Sequence, residues 1–350
     1  TLNTCQWSNK SKVEALDSIS SPHHLSEVVS RTLANACSVL LFAHGNTTKT
    51  EVKAICARVE ECFASKAYAG RQGKVEDLSK RMVQLEEGAD LNCLLTHPNP
   101  KEPNSCCYSY FQLGQDTPRL HALASLMAHL LKEPVFSTLR TKQQLGYIVW
   151  RGIEVSNGII GYYIQIVSGM YQANFINQRI QEFLESFFSQ NLKMMSAEDF
   201  AQAKKSLTGK YEEKDVRMDR ENSRYWTEIN TSRYHFNRRL GIVGCLRKLA
   251  LKDVIGLYEK KLLPGSPSRA YMSVQIGSQH KKEHPEGEQK QPPPPSPGSP
   301  GGLEANEKKE EVTVRGKADD ESPWINFKAM SPLFPERSHI YTSQLRKAAL

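Results

Sequence analysis

Arg140 and Tyr147 enclose the string Arg-Thr-Lys-Gln-Gln-Leu-Gly-Tyr, in which a short helix is expected to end at Gly146 and turn directly into a strand. A guanidinium offers several N–H donors in a fixed planar fork, and a phenol offers one more. Ser156-Asn157-Gly158 suits a tight turn that needs positive φ, so Ile159 to Val167 should return beside Tyr147 to Val155. The two donors would then sit at the start of a hairpin, on rigid structure, where they could hold a peptide backbone. The bland alternative pairs Arg140 with a carboxylate such as Glu133 and makes Tyr147 an ordinary half-buried strand residue.

His280-Lys281-Lys282-Glu283-His284 satisfies H-x-x-E-H, the inverted zinc signature in which two His ligate the metal and Glu activates water. That chemistry needs both His on one face of a firm helix, a third ligand and a protected cavity. Pro285 pushes His284 away from helical geometry, no apolar residue flanks the motif, and Pro-rich sequence follows at once. It reads as an accident of a charged linker. His24-Leu25-Ser26-Glu27-Val28 is a near miss with Val where the second His belongs. No Ser-His-Asp or Cys-His constellation and no phosphate-binding glycine loop can be assembled.

The 350 residues, 39% hydrophobic and 24% charged, suit a globular protein with one large core or two modest ones. The net charge of +8 is spread among interleaved acids, with no aromatic-basic signature and no Cys/His finger, which argues against nucleic acid as a partner. The longest apolar run, Val39 to Ala43, falls far short of the roughly 20 residues that span a bilayer, so no membrane partner is expected. Eight cysteines without a Cys-x-x-Cys pair suggest reduced thiols in a cytoplasmic setting. Thr1 in place of Met is expected of a processed chain or an excised fragment.

Along the chain, residues 1–35 carry a helical apolar pattern broken at Ser20-Ser21-Pro22. Cys37 to Ala43 is expected to be a buried strand, followed by a Gly45-Asn46 turn and a helix opened by the capping box Thr48-x-x-Glu51. Strands are expected near Arg81 to Leu85 and Cys106 to Leu113, then a helix from Thr117-Pro118 that stops at Glu133 before Pro134. After the hairpin, Phe175, Ile176, Ile180, Phe183, Leu184 and Phe187 recur at helical spacing and read as core packing. Ser196-x-x-Asp199 caps another helix, Leu251 to Leu262 makes one more, and Tyr271 to Ile276 alternates like a closing strand. The order is that of an α+β fold with a mixed, largely antiparallel sheet packed with helices.

The string from Phe136 to Val149 resembles the fourth domain of the pitrilysin and insulin-degrading-enzyme family, zinc metallopeptidases that enclose peptides between two bowl-shaped halves. Three further stretches resemble the family in the same order: Val39 to Thr48, Arg224-Tyr225-Trp226-Thr227-Glu228-Ile229, and Pro332-Leu333-Phe334-Pro335. The resemblance implies an end of a preceding domain at 1–35, a noncatalytic metallopeptidase-like domain at 36–277 and a tail at 323–350 packing back on the domain, while the Pro/Glu/Lys-rich composition of 278–322 is expected of a flexible insertion. It implies that the zinc cofactor is bound by an N-terminal half of the same protein, not by this chain, which alone would be inactive. Arg140 and Tyr147 would cross to that zinc site and contact substrate and transition state. Lys210, Lys214 and Arg217 fall in the region of the family's basic patch for polyanions such as ATP, although Val216 stands where the family has a Lys. Peptide substrates and the N-terminal half are the implied partners, and a homo-oligomer is left open. The alternative is a binding or scaffold member of the same fold that has lost its zinc site.

Overall fold

The computed structural model describes residues 2, 9–34, 40–64, 81–231, 233–280 and 312–317. Three helices come first, α1 (Asn9–Asp17), α2 (Pro22–Ala34) and α3 (Lys49–Ala64). They are followed by β1 (Asp90–Thr96), β2 (Ser105–Gln115), α4 (Pro118–Val135), a π-helical turn (Phe136–Lys142) and the hairpin β3 (Ile148–Ser156) and β4 (Ile159–Ser168). The chain continues through α5 (Ala173–Phe187), α6 (Ala197–Glu212), α7 (Met218–Asn230), α8 (Arg238–Lys248), α9 (Leu251–Lys261), β5 (Tyr271–Gly277) and β6 (Val312–Lys317).

The strands form one mixed sheet in the order β3-β4-β2-β5-β1-β6. β2 lies antiparallel between β4 and β5, whereas β1 runs parallel to both β5 and β6. Strand alternation divides the sheet into two faces. Cys107, Phe111 and Leu113 of β2 and Ile160, Tyr162, Ile164 and Ile166 of β4 are buried in the main core, against Leu126, Leu131, Ile180, Phe187, Leu246 and Tyr258 from the helices. The opposite face carries Tyr108 stacked on Tyr163 and Tyr110, with centroids 5.4 and 6.4 Å apart, and a smaller core that includes Met82, Val83, Leu91 and Met272. The α5 stripe is core, as its periodicity predicts.

Local chemistry sets the helix starts. Thr117 Oγ1 accepts from the Leu120 N–H with Pro118 in the first turn, and Ser196 Oγ accepts from the Asp199 N–H. The Thr48 and Glu51 side chains satisfy each other's backbone as the capping box predicts.

Several expectations need correction. Residues 40–43, the described part of the expected Cys37–Ala43 strand, belong to no strand among the described residues, and Leu40 and Leu41 are 49% and 44% exposed. Arg81 to Leu85 contributes only a short bridge, held where Gln112 accepts from the Leu85 N–H and donates to the Val83 carbonyl. Tyr271 to Ile276 is a strand, yet it lies inside the sheet rather than closing it. α4 does not stop at Glu133: Pro134 lies within it, and the helix widens into the π turn directly afterwards. Within the expected insertion at 278–322, Val312–Lys317 is a paired strand, because Val-Thr-Val supplies the β-branched run that the Lys/Glu/Pro stretch before it lacks. Of the H-x-x-E-H string only His280 is described, just beyond β5; the rest of it, and Pro332 to Pro335, lie outside the described residues.

Candidate functional site

Pro134 has no N–H to give and its ring crowds the preceding turn, so an α-helix through it must bend or change pitch. Here the change is a π turn, a form in which each bond spans one residue more than in an α-helix. Its exit is closed by Gln143 N–H donating to Thr138 O (2.8 Å) and Leu145 N–H donating to Leu139 O (3.0 Å). Leu139 and Leu145 are buried in the main core and anchor the two sides of the exit. Arg179 of α5 donates to the Gln143 side chain at 3.2 Å and ties the exit loop to a second helix.

The helix therefore ends at Lys142, and a short loop with Gln144 at φ +51° separates it from β3. Gly146 passes under β4 so closely that an added Cβ would lie 2.2 Å from the Val167 carbonyl oxygen, which only glycine avoids. The hairpin itself forms as predicted: Asn157 and Gly158 take φ +46° and +81°, and nine register pairs run from Ile148↔Val167 to Ser156↔Ile159.

Arg140 and Tyr147 meet at this junction. The Arg140 guanidinium carbon lies 5.0 Å from the Tyr147 ring centroid and 4.7 Å from that of Phe136. Tyr147 is 83% exposed, not the half-buried residue of the bland reading. Among the described residues neither Arg140 nor Glu133 forms an ion pair, so the pairing of the two is not made. Both line one open depression with Lys132, Phe136, Tyr147, Trp150 and Arg151. It is lined by the end of α4, the π turn and the start of β3, and its charge is three cations against one carboxylate. Such a surface can grip backbone carbonyls, carboxylates and developing oxyanions.

A second depression lies where α6 ends and α7 begins. Lys210 and Lys214 line it, together with Arg220, Arg224, Arg233 and Arg239. Arg217 does not join them: its Nε and Nη2 donate to both oxygens of Asp219, at 2.9 and 3.0 Å. Asp215 takes part as an anchor, accepting from Arg224 at 2.8 Å and from Arg239 at 3.3 Å, and the Arg224 hydrogen bond holds its carboxyl below the usual range. Arg224 and Arg239 therefore spend much of their charge internally, while Lys210 and Lys214 make no ion pair among the described residues. Sequence reasoning missed Arg220, Arg233 and Arg239; the only signal was their density in 217–239.

Three residues that line this second depression meet at Asp116, whose side chain is 1% exposed and accepts from His121 Nδ1 (2.9 Å), Arg238 Nη2 (2.5 Å) and Arg233 Nη1 (3.3 Å). Burial alone would raise the Asp116 pKa, yet His121 and Arg238 bring it below the usual value. Among the described residues no cluster of three or more His, Cys, Asp or Glu could hold a metal ion, and no helix is long and apolar enough to cross a membrane.

Residues 126–226 match the family model described as PQQ synthase PqqF-like, C-terminal lobe domain 4. The chain is 30% identical over 246 residues to the insulin-degrading enzyme of Drosophila melanogaster, covering 69% of this chain and 24% of that protein. It is 27% identical over 274 residues to the Homo sapiens insulin-degrading enzyme (77% of this chain, 26% of that one) and 27% over 285 residues to nardilysin of Pongo abelii (81% and 24%). The chain thus spans about a quarter of the length of the curated relatives it matches. In fold it is similar to the crystal structure of pitrilysin, with a TM-score of 0.68 at 17% identity, covering 95% of this chain and 31% of that one. The matched model spans the π turn, the hairpin and both Arg140 and Tyr147, and the chain belongs to the pitrilysin and insulin-degrading-enzyme family, within its C-terminal lobe.

Proposed function

We propose that this chain supplies the supporting half of a peptidase active site, with Arg140 and Tyr147 as its contributions. The observation that carries the reading is the pairing of an exposed phenol with a guanidinium that makes no ion pair among the described residues, both fixed at the π-turn-to-hairpin junction. In hydrolysis of a peptide bond, negative charge grows on the carbonyl oxygen, and a donor already aimed at it stabilises the transition state without reorganisation. Tyr147 is that donor in this reading. Arg140 holds an adjacent substrate carbonyl or carboxylate with its planar fork. Zinc, held by residues outside this chain, would polarise the carbonyl and activate the attacking water. Its ligands would come from the N-terminal half of the same protein, which makes this chain inactive alone and peptides its substrates.

The domain layout fits that reading. The apolar side chains Val13, Leu16, Leu25 and Val29 of α1 and α2 are exposed, as faces that a preceding domain would cover. Residues 42–44 pack not on the sheet but on α7, where Phe42 and His44 meet Tyr225 and Trp226. The test is turnover of a peptide by the full-length protein carrying Tyr147→Phe. A folded variant with undiminished kcat would end the proposal for Tyr147, and a parent protein without turnover would favour a scaffold. A second reading, polyanion regulation, rests on the convergence of Lys210 and Lys214 with the arginines of the second depression. ATP or triphosphate that left the rate of the full-length protein unchanged at low salt would remove it.

A further inference from the structure

Arg140 lies over two aromatic rings. Its guanidinium carbon is 4.7 Å from the Phe136 centroid on one turn of the π helix and 5.0 Å from the Tyr147 centroid across the loop. Each ring contributes quadrupole attraction to the cation. Phe136 is only half buried and is not among the residues of the buried core, although its neighbours Val135 and Leu139 are fully buried there. A large apolar ring lining a depression, outside the buried core and against a cation, is not explained by packing alone.

We infer that Phe136 is a positioning residue: it sets the plane of Arg140, and through Arg140 the ring of Tyr147, so that both donors point into the depression before substrate arrives. This rests on the role proposed above for Arg140 and Tyr147. The neighbouring anchors act on the backbone, through Gly146 against Val167 and Arg179 on Gln143. Phe136 is the element that acts on the side chain. With the ring removed, the four-bond stem of Arg140 is free to sample other rotamers, and that freedom is lost again in each transition state.

The experiment is a double-mutant cycle in the full-length protein, measuring kcat and KM on one peptide for Phe136→Leu, Arg140→Ala and the pair, with thermal unfolding of each. Phe136→Leu is expected to lower kcat/KM by roughly two- to thirty-fold, the span of a cation–π contact from exposed to desolvated, and Phe136→Tyr to restore it. In the Arg140→Ala background, Phe136→Leu should have no further effect. Should Phe136→Leu fail to fold, Phe136→Met takes its place, filling the volume without a ring. An equal loss in both backgrounds overturns the inference and leaves the role of Arg140 standing. A silent Arg140→Ala overturns both together.

Discussion

Gly146 faces the Val167 carbonyl at a distance that leaves no room for a side chain: a Cβ there would sit 2.2 Å from the oxygen. Backbone, not a movable side chain, is the obstacle. Gly146→Ala must therefore push β3 away from β4 at the point where the hairpin meets Tyr147. Overpacking of this kind typically destabilises by about 1 to 3 kcal/mol. The expected result is a lowered denaturation midpoint and peptidase activity reduced more than stability alone explains, measured by urea unfolding and turnover of the full-length protein.

Removal of the Tyr147 hydroxyl tests the donor role with little else changed, since the ring is exposed and its Arg140 stacking survives in phenylalanine. Loss of one oxyanion donor typically lowers kcat by roughly 10² to 10³. Tyr147→Phe should show that fall with KM and the thermal midpoint close to the parent. An effect confined to KM would make Tyr147 a ground-state binding residue instead.

Lys210→Ala with Lys214→Ala should abolish any response of the full-length protein to triphosphate at low salt, whereas Arg217→Ala should preserve it. Arg217 is already engaged by both oxygens of Asp219, outside the depression that the two lysines line. Rate against triphosphate concentration, at low and high salt, distinguishes the two variants.

Asp116 gives stability a dependence on acid. Its folded pKa is depressed below the unfolded value by His121 and Arg238 in spite of burial, so its contribution is fully present above the unfolded Asp pKa of about 3.9 and is lost as pH falls below it. Asp116→Asn leaves Arg233 and Arg238 without their shared carboxylate. Breaking a buried pair in this way costs about 3 to 5 kcal/mol at neutral pH. The variant should therefore lose stability most at pH 7, and the gap to the parent should narrow on acidification below pH 4 in chemical denaturation.

Burial pushes the thiols of Cys93 and Cys107 up to about 12, and both lie in the packed sheet. Partly exposed Cys56 and Cys245 should react with an alkylating reagent before Cys93 and Cys107 under native conditions. Mass spectrometry of the labelled protein checks the order, and early modification of Cys107 would show that the sheet opens more readily than its packing implies.

The parts of the fold legible in the sequence were those set by neighbours in the chain. Asn157-Gly158 named its turn, Thr117-Pro118 and Ser196 named helix starts, and the α5 stripe named its buried face. β1 was not legible, because Asn92 breaks its apolar run and is satisfied by residues distant in sequence, its Oδ1 accepting from Gln275 of β5 at 3.0 Å and from Asn177 of α5 at 3.5 Å. The opposite error occurred at Leu40 and Leu41, where an apolar run announces burial without naming what covers it. At the site, the types of Arg140 and Tyr147 were readable. The stacking of Arg140 against Phe136 was not, because it follows from a change of helical pitch beyond Pro134.

β6 and β3 are the two outer strands of the sheet, five strand spacings apart, or roughly 24 Å. A change at β6 therefore acts at a margin remote from Arg140 and Tyr147. The opposite margin carries the hairpin whose entry at Gly146 is held to the width of a single missing methyl group.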